Sequence, residues 1–406
     1  MDVKITPVPL HGTITPPPSK SQAHRLIIAA ALAAGESCVE NVALSQDITA
    51  TLNCMRSLGA KASEDGSRIT GIGGVRGRFD PLPTLDCGES GSTLRFLIPV
   101  ALAVAGGGIF SGHGRLMERP QGPYEALFAQ RNILFRRENG VLRVEGSLQS
   151  GQFALPGDVS SQFITGLMYA LPLLEGDSKI MLTTPLESRG YVDMTLDALA
   201  RFGIRVEPEE GGWHIPGGQT YQPRKTSVES DYSQAAFYFA ARLLGSPVLI
   251  QGLNPNSAQG DAAILDFSSA LSCPGEVELD VSQCPDLVPP LAAMAALRAG
   301  QTTHLVGAAR LRLKESDRLD TVTTQLNRLG ANITQGPDFL TIRGVDWLEG
   351  GTVSGCNDHR IAMMLAIVAT RAKEAVTITG AQCVSKSYPN FWEDYAALGG
   401  RIERLD

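Results

Sequence analysis

A segment that recurs along the chain constrains its fold more than any other feature of the sequence. In the clearest copy, residues 47–58 place apolar side chains at helical spacing, Gly59 follows, and two short alternating stretches flank Asp65-Gly66. Helical spacing predicts an amphipathic helix, a glycine after it predicts the helix end, and an Asp-Gly pair predicts a tight hairpin turn. The unit is therefore a helix followed by two antiparallel strands.

The same unit returns in clear, weaker and degraded copies. In order of decreasing clarity, these copies begin with predicted helices at residues 194–202, 321–329, 124–130, 262–271 and 392–398. We expect the strands missing from the last copy to come from residues 3–14, and residues 276–281 to be the strand of the copy before it. Chance resemblance among helix-turn-strand segments is the alternative, but the clean copies favour a true repeat.

The order of the copies predicts two similar α/β domains of three units each. One domain is residues 18–229, and the other is residues 1–17 with residues 230–406, because the N-terminus completes the last copy. A chain of 406 residues is also too long for one ordinary core. The best candidate hinges are the proline-stiffened stretch near 15–18 and the short stretch at 228–230.

Composition and charge exclude several classes of function. The longest apolar runs, 26–34 and 361–369, are far too short to span a bilayer, and the N-terminus has no basic-then-apolar signal pattern. A net charge of −7 argues against nucleic-acid binding. The seven cysteines, without paired spacing, argue against a disulfide framework or a zinc site. We therefore expect a soluble, cytoplasmic, metabolic protein with no membrane, nucleic-acid or metal partner.

Cations stand at the start of an apolar helix near the C-terminus. Residues 357–360, Asn-Asp-His-Arg, lead into the apolar run 361–369. Backbone N–H groups and the dipole at a helix start attract anions, and an arginine there offers a planar fork for a carboxylate or phosphate. The alternative is that Asp358 only caps the helix and Arg360 pairs with it.

Other loops repeat this arrangement at the starts of other predicted apolar helices. Their cationic, hydroxyl, amide or glycine residues are Lys20, Ser21, Arg25, Gly88, Gly91, Ser160, Ser161, Gln162, Ser188, Lys314, Arg318 and Lys386. Glycines let backbone amides approach a ligand, and paired serines exceed the need for one helix cap. Asp286 also leads into an apolar helix, where partial burial would raise its proton affinity. Solvated turns and ordinary caps are the alternative for each loop taken alone.

Taken together, these motifs resemble the enolpyruvyl transferase family, and within it the branch that uses shikimate 3-phosphate. The matching residues, in family order, are Ser19-Lys20-Ser21, Arg25, Gly91, Arg95, Glu118-Arg119-Pro120, Ser160-Ser161-Gln162, Pro285-Asp286, Lys314-Glu315-Ser316-Asp317-Arg318, Asn357-Asp358-His359-Arg360 and Ser385-Lys386. They extend over essentially the whole chain. The resemblance implies two inside-out α/β domains, each of three repeated helix-and-strand units. It also implies a monomer that needs neither a metal nor an organic cofactor.

The resemblance further implies a reaction and its site residues. The family transfers the enolpyruvyl group of phosphoenolpyruvate to the 5-hydroxyl of shikimate 3-phosphate and releases phosphate. The residues implied for phosphoenolpyruvate are Lys20, Gly91, Arg119, Gln162, Arg318, Arg360 and Lys386. Those implied for shikimate 3-phosphate are Lys20, Ser21, Arg25, Ser160, Ser161, Gln162, Ser188, Tyr191, Asp286 and Lys314. Because these cations come from both domains, we expect the domains to close on the ligands.

Proton transfer is implied for three residues. Addition across the enol double bond needs a base for the attacking hydroxyl and an acid for the methylene carbon. Asp286 is the candidate base, and Glu315, assisted by Lys20, is the candidate acid. Arg310 stands where some family members have an asparagine that contacts the shikimate phosphate, so no role is assigned to it.

Two alternatives remain open. The sister branch of the family transfers the same group to a UDP-amino sugar and usually carries a reactive cysteine in the loop that corresponds to residues 112–119, which here contain none. The second alternative is a non-catalytic anion-binding protein on the same fold. Asp286 and Glu315 argue against it, because carboxylates in an anion site oppose binding unless they move protons.

Overall fold

Two units make up the chain in the computed structural model, which describes residues 1–74 and 77–405. The first unit is Lys20–Glu229, and the second unit is Met1–Ser19 together with the chain from Ser230 onward. Each unit encloses its own apolar core. Within each unit, helices and short strands alternate along the chain, as the repeated pattern predicts.

The helices and strands have the following bounds. The helices are α1 (Lys20–Leu32), α2 (Gln46–Ser57), α3 (Gly91–Ala105), α4 (Gly122–Ala129), α5 (Ser161–Ala170), α6 (Arg189–Arg201), α7 (Tyr232–Leu243), α8 (Ile264–Ser272), α9 (Val288–Ala296), α10 (Arg318–Arg328), α11 (His359–Ala369) and α12 (Phe391–Ala397). The strands are β1 (Asp2–Thr6), β2 (Gly12–Ile14), β3 (Glu36–Glu40), β4 (Lys61–Ala62), β5 (Arg68–Thr70), β6 (Thr84–Asp86), β7 (Gly107–Ser111), β8 (Leu134–Glu138), β9 (Val141–Glu145), β10 (Gly151–Leu155), β11 (Ser178–Leu182), β12 (Glu207–Glu209), β13 (Gly212–Ile215), β14 (Lys225–Ser227), β15 (Val248–Ile250), β16 (Val277–Asp280), β17 (Thr302–Val306), β18 (Asn332–Gln335), β19 (Leu340–Arg343), β20 (Gly351–Ser354), β21 (Val376–Thr379) and β22 (Arg401–Leu405).

The described strands of the first unit form four-stranded sheets with one common plan. Their strand orders are β14-β3-β5-β4, β6-β7-β9-β8 and β10-β11-β13-β12. In each sheet the first pair is parallel and the other pairs are antiparallel. In the second sheet, Leu85 lies opposite Phe110, which lies opposite Leu142. All three side chains are fully buried, so this face of the sheet covers the core.

Helices α1, α3 and α5 lie in the core of the first unit and are buried on nearly every side. Helices α3 and α5 approach closely because Gly166 has no side chain: a Cβ there would lie 2.5 Å from the carbonyl oxygen of Arg95. No helix of the described chain has both the length and the apolar character needed to cross a membrane. The buried helices instead place their N-terminal turns, which carry the predicted site residues, at the ends of an apolar core.

The second unit repeats the plan with one reduced sheet. Its sheets have the orders β16-β17-β19-β18 and β20-β21-β1-β22, together with the two-stranded pair β15-β2, and helices α7, α9 and α11 are buried in the core. Strand β1 lies between β21 and β22, with Val3 opposite both Ile378 and Arg404. This confirms that the N-terminal strand completes the last copy of the repeat.

Two details of the predicted repeat are wrong. Gly12–Ile14 was expected in the same sheet as β1 but pairs in parallel with Val248–Ile250. Val277–Asp280 was expected to belong to the copy that begins at residue 262, but it pairs in parallel with Thr302–Val306. The pattern could not show this because a parallel partner is chosen by long-range packing, whereas a hairpin partner is fixed by the turn that joins the strands.

Candidate active site

The start of α1 supplies the first cation of the first unit. Lys20 begins this helix, and its Nζ lies 2.8 Å from Oδ2 of Asp47 in α2. Both side chains are largely buried, with exposed fractions of 15% and 11%. The carboxylate therefore holds the ammonium group in one place at the end of the core. Asp47 was not predicted as a site residue, because it is the single acid of the amphipathic segment 47–58 and belongs to no motif.

Arg25, one turn further along α1, is fixed by three contacts. Its Nε donates to Oγ1 of Thr195 at 2.9 Å, and its terminal nitrogens donate to the carbonyl oxygens of Ser21 at 2.6 Å and Tyr191 at 2.8 Å. Burial lowers the pKa of Arg25 to about 10, while Tyr169 and Tyr191 oppose this shift. The guanidinium group thus connects three of the predicted ligand residues: Ser21, Arg25 and Tyr191.

Arg119 lies directly against the N-terminus of α3. Ser90 caps that helix by accepting from the N–H of Thr93 at 3.1 Å, and Gly91 follows as the first helical residue. A Cβ on Gly91 would lie only 2.6 Å from NH1 of Arg119, so glycine is what lets the arginine cover the helix end. Arg119 is 8% exposed, and its Nε has no hydrogen-bond partner among the described residues. The predicted residues Gly91 and Arg119 therefore meet.

Gln162 is held at the start of α5 by residues of α3. Its Oε1 accepts from NH1 of Arg95 at 2.9 Å, and its Nε2 donates to Oγ of Ser92 at 3.0 Å. Ser160 caps α5 by accepting from the N–H of Gln162 at 3.3 Å, and Ser161 is the first residue of the helix. Arg95 was matched in the family motif without a role, and the structure identifies it as the residue that orients Gln162.

Ser188 has an unusual backbone conformation at the start of α6. Its φ of 56° lies in the left-handed region, although it is not a glycine. Such a conformation costs on the order of 1 kcal/mol and is common at functional sites. Ser188 is buried, and Tyr191 follows it one turn into the helix.

In the second unit, Asp286 is surrounded by cations. It lies in the 3-10 turn Pro285–Leu287, just before α9. Its Oδ1 lies 2.7 Å from NH1 of Arg318 and 3.5 Å from Nζ of Lys314, and its Oδ2 lies 3.0 Å from NH2 of Arg360. Three cations favour the ionised carboxylate, which is the form a general base requires. They oppose the rise in proton affinity that burial alone predicts for Asp286.

Arg318 is the centre of this cluster and is 1% exposed. Besides Asp286, it donates from Nε to Oδ2 of Asp358 at 2.8 Å and from NH2 to Glu315 Oε2 at 2.8 Å and Asp358 Oδ1 at 3.3 Å. Burial alone would lower its pKa, but Asp358, Glu315 and Asp286 together raise the pKa of Arg318 above its ordinary value. A guanidinium has five N–H groups, and these contacts use four of them.

Asp358 has two roles at the start of α11. It caps the helix by accepting from the N–H of Arg360 at 3.0 Å, as one interpretation of the sequence predicts. The other half of that interpretation is wrong: its ion pair is with Arg318, and the side chain of Arg360 pairs with Asp286. Asp358 is fully buried, and Ser316 also donates to it at 3.0 Å.

The loop before α11 also contacts Lys386, which lies further along the chain. Cys356 and Asn357 have φ values of 51° and 52° and form a tight turn closed by the Asp358 N–H donating to Gly355 at 2.9 Å. This turn directs the carbonyl oxygen of Asn357 to Nζ of Lys386, 2.7 Å away. Lys386 therefore lies next to the start of α11, whereas the sequence pattern associated it only with the start of the last helix, α12.

Two groups of predicted residues thus form, one in each unit. In the first unit, the contacts above connect Arg25 with Ser21 and Tyr191, and Gly91 with Arg119. In the second unit, they connect Asp286, Lys314, Glu315, Arg318 and Arg360. One residue of the site, Asp47, was not predicted from the sequence, because a single acid has no motif of its own. In the described residues, no group of three or more histidine, cysteine, aspartate or glutamate side chains is arranged to hold a metal ion.

Comparison with solved structures defines the class of fold. EPSP synthase from Acinetobacter baumannii superposes with a TM-score of 0.79 over 99% of this chain and 100% of that chain, at 24% sequence identity. A second structure of that enzyme gives a TM-score of 0.80, also at 24% identity. The fold is therefore that of the enolpyruvyl transferases: two domains, each of three helix-and-sheet units.

Comparison with protein sequences defines the family. Residues 5–395 match the family model of EPSP synthase (3-phosphoshikimate 1-carboxyvinyltransferase). The 3-phosphoshikimate 1-carboxyvinyltransferase of Clostridium acetobutylicum is 47% identical, with 98% of each chain covered. That of Clostridium kluyveri is 44% identical, with 99% of this chain and 98% of the relative covered. The chain belongs to the EPSP synthase family.

Proposed function

We propose that the chain transfers the enolpyruvyl group of phosphoenolpyruvate to the 5-hydroxyl of shikimate 3-phosphate, with release of phosphate. Membership of the EPSP synthase family over nearly the whole chain supports this reaction. The structural observation that carries it is Asp286, a carboxylate held by Arg318, Arg360 and Lys314. A base surrounded by cations suits a reaction in which a hydroxyl must lose a proton beside two anionic substrates.

The residues proposed to bind phosphoenolpyruvate are mostly cations. The residues are Lys20, Gly91, Arg119, Gln162, Arg318, Arg360 and Lys386. Arg119 supports this assignment best, because it is nearly buried and its Nε has no hydrogen-bond partner among the described residues. Arg318 has only one N–H group beyond its contacts with carboxylates, so its main contribution is to orient Asp286 and Glu315.

Hydroxyl groups and cations are proposed to bind shikimate 3-phosphate. The residues are Lys20, Ser21, Arg25, Ser160, Ser161, Gln162, Ser188, Tyr191, Asp286 and Lys314. Ser160 and Ser161 stand at the N-terminus of α5, where N–H groups and the helix dipole favour a phosphate group. Arg25 is held rigidly by Thr195, Ser21 and Tyr191, so it offers a fixed charge to the ring substituents.

In the proposed addition step, Asp286 takes the proton of the 5-hydroxyl of shikimate 3-phosphate. The oxygen of that hydroxyl bonds to the central carbon of phosphoenolpyruvate at the same time. The methylene carbon receives a proton from Glu315, with Lys20 assisting. Glu315 lies against Arg318, with NH2 of Arg318 2.8 Å from its Oε2. The arginine stabilises the carboxylate that remains after the proton has been given up.

Elimination then reverses the proton demands. The tetrahedral adduct loses phosphate from the central carbon and a proton from the new methyl group, which restores the enol double bond. Glu315, now a carboxylate, accepts that proton. The departing phosphate takes up the proton that Asp286 removed from the hydroxyl. The neighbouring cations stabilise the negative charge that develops in both steps. No atom outside the two substrates and the site is needed for the balance.

The sister reaction with a UDP-amino sugar is less well supported. Residues 112–119 contain no cysteine. The relatives at 44–47% identity are named 3-phosphoshikimate 1-carboxyvinyltransferase. The test is phosphate release from phosphoenolpyruvate, measured with shikimate 3-phosphate or a UDP-amino sugar as acceptor. We expect turnover with shikimate 3-phosphate as acceptor and none with the UDP-amino sugar. Turnover only with the UDP-amino sugar, or tight binding of both shikimate-pathway ligands without turnover, would overturn the proposal.

We further propose that the enzyme acts as a monomer in the cytoplasm. Every residue that the family resemblance implies for either substrate is present on this one chain. Sedimentation of the purified protein at working concentration tests the first part: a mass near 43.2 kDa is expected, and a stable dimer would contradict it.

A further inference from the structure

Four buried polar side chains form a hydrogen-bonded network that joins three helices of the first unit. Nδ1 of His24 in α1 lies 2.7 Å from Oγ1 of Thr51 in α2. Oγ1 of Thr51 lies 2.7 Å from Oγ1 of Thr93 in α3, which in turn donates to Oγ of Ser90 at 2.7 Å. Each of the four residues is at most 1% exposed. The mechanism above gives this buried network no role.

The hydrogen bonds of the buried network run in one direction. Because the hydroxyl hydrogen of Thr93 goes to Ser90, Thr93 must accept from Thr51. The hydroxyl hydrogen of Thr51 is then used, so Nδ1 of His24 must carry a proton and donate to Thr51. Burial, followed by the charge of Lys20, lowers the pKa of His24 well below its ordinary value, so the ring is neutral. Its single proton is then on Nδ1 and none is on Nε2, which has no hydrogen-bond partner among the described residues.

The network lies next to the ion pair of Lys20 and Asp47. His24 follows Lys20 by four residues in α1, and Thr51 likewise stands four residues after the acid in α2. Residues four apart lie on the same helix face, so α1 and α2 meet through two successive pairs of side chains. Oγ1 of Thr51 is also 3.3 Å from the carbonyl oxygen of Asp47, a longer contact than the one to Thr93. Helix α2 therefore connects the ammonium group of Lys20 with α3.

The other end of the network fixes the N-terminus of α3. Ser90 accepts from the N–H of Thr93 at 3.1 Å and from its hydroxyl at 2.7 Å. The next residue, Gly91, lies so close to Arg119 that a Cβ would be 2.6 Å from NH1. A small displacement of Ser90 would therefore change the contact between the helix end and the guanidinium group.

We propose that His24, Thr51 and Thr93 are positioning residues for phosphoenolpyruvate. Their network holds the helix end at Gly91 in a fixed place relative to Lys20. It does so through α2, which carries none of the residues assigned to either substrate. Fixed groups bind an anion more tightly than mobile ones, because less conformational entropy is lost on binding. This inference rests on the proposed function, which assigns both Lys20 and Gly91 to phosphoenolpyruvate.

Two substitutions that each remove one hydroxyl test the proposal. Thr93→Val cuts the link to Ser90, and Thr51→Val cuts the link between α2 and α3. In each variant we expect the KM for phosphoenolpyruvate to rise about tenfold with kcat within about twofold of the parent, because lost positioning weakens ground-state and transition-state binding alike. Calorimetric titration should show parental affinity for shikimate 3-phosphate, since its phosphate group is assigned to the start of α5.

Three further variants separate positioning from a general loss of stability. Combining Thr51→Val with Thr93→Val should raise the KM for phosphoenolpyruvate no further than either change alone, because both cut the same network. Thr93→Ser keeps the hydroxyl and should restore the parental KM. Thr165→Val is the matched control, because Thr165 is also fully buried but contacts Thr195 of α6, 2.9 Å away and outside the network. Its KM for phosphoenolpyruvate should equal that of the parent.

The outcomes separate this inference from the proposed function. A parental protein that releases no phosphate with shikimate 3-phosphate would refute the proposed function. If the parent is active but both valine variants keep its KM for phosphoenolpyruvate, or lose affinity for both substrates together, the network is only structural and the inference is wrong. Nitrogen NMR of the parent is a check that needs no variant to fold: the ring proton of His24 should be on Nδ1. A neutral ring with its proton on Nε2 would break the network at its first hydrogen bond and overturn the proposal.

Discussion

At the scale of single residues, the proposed reaction depends most on Asp286. Sequence analysis could predict its importance from the motif but not its partners, because Arg318 and Arg360 lie 32 and 74 residues away along the chain. The same holds for Lys20, whose partner Asp47 belongs to a different helix. Motifs thus predicted which residues matter. The pairing of charges depends on how buried helices pack, which local sequence does not contain.

Asp286→Asn should nearly abolish turnover while substrate binding persists. The amide keeps the shape of the carboxylate but cannot take the hydroxyl proton, so we expect kcat to fall by at least about a hundredfold. Calorimetric titration with shikimate 3-phosphate should show that binding is retained. Asp266→Asn serves as the control, because this exposed acid lies outside the cluster. Near-parental kcat in Asp286→Asn would remove Asp286 from proton transfer.

Asp261→Asn should change stability in a pH-dependent way. The pKa of Asp261 is raised from 3.8 to about 6, chiefly by burial, so the folded state binds more protons than the unfolded state between these values. The free energy of unfolding of the parent therefore decreases as pH rises from about 4 to about 6. The variant lacks this ionisation and should be more stable than the parent by about 2–3 kcal/mol above pH 7, with no gain below pH 4.

Urea titrations of both proteins across this pH range measure that difference. A variant that is less stable than the parent at every pH would show that the charge of Asp261 stabilises the fold. The raised pKa predicts the reverse: the ionised carboxylate of Asp261 lowers stability near neutral pH.

At the scale of elements, the repeat predicted most helices and hairpins correctly. Residues 47–58 form α2, residues 321–329 lie within or next to α10, and the turn at Asp65-Gly66 joins β4 to β5. The apolar helix expected from Pro285 begins instead as a 3-10 turn, with α9 starting at Val288. Prolines at 289 and 290 explain the late start, because proline is tolerated only in the first turn of a helix.

The helix caps allow a matched test of the buried charge cluster. Asp358 and Asp317 both cap helices, α11 and α10, and each pairs with an arginine at 2.8–2.9 Å. Asp358 and Arg318 are buried, whereas Asp317 and Arg312 are about one-third exposed. Asparagine caps a helix about as well as aspartate, so either substitution removes mainly the charge.

Asp358→Asn should therefore cost about 3–5 kcal/mol of stability, because it leaves Arg318 buried without its main counter-charge. Asp317→Asn should cost about 1 kcal/mol or less, as exposed ion pairs contribute little. Chemical denaturation of the two variants measures both values. Equal losses would show that the caps, and not the buried ion pair, determine the stability of this region.

At the scale of the whole molecule, each unit has its own apolar core. The repeat was enough to predict two similar α/β halves. It also predicted that the N-terminal strand β1 completes the last sheet. It was not enough to place β2 and β16, since parallel pairing joins strands that are distant in sequence. Regular local patterns were thus predictable, and long-range pairing was not.

Core substitutions should act within one unit. Leu97 in α3 and Leu365 in α11 are fully buried, one in each core. Leu→Ala at either position should cost about 2–5 kcal/mol. Hydrogen exchange should then lose protection in α1, α3 and α5 for Leu97→Ala, and in α7, α9 and α11 for Leu365→Ala. Leu249→Ala is the control, because Leu249 is 59% exposed. Equal loss of protection in both cores would contradict this prediction.

Phosphorus NMR of a reaction with phosphoenolpyruvate and shikimate 3-phosphate is the decisive measurement of enolpyruvyl transfer, because it shows which phosphate leaves. The signal of phosphoenolpyruvate should be replaced by inorganic phosphate in step with a new signal from the 3-phosphate of the product, and only when both substrates are present. The Asp286→Asn variant should leave the spectrum almost unchanged. Phosphate released from phosphoenolpyruvate alone, or lost from the shikimate ring, would contradict enolpyruvyl transfer by this site.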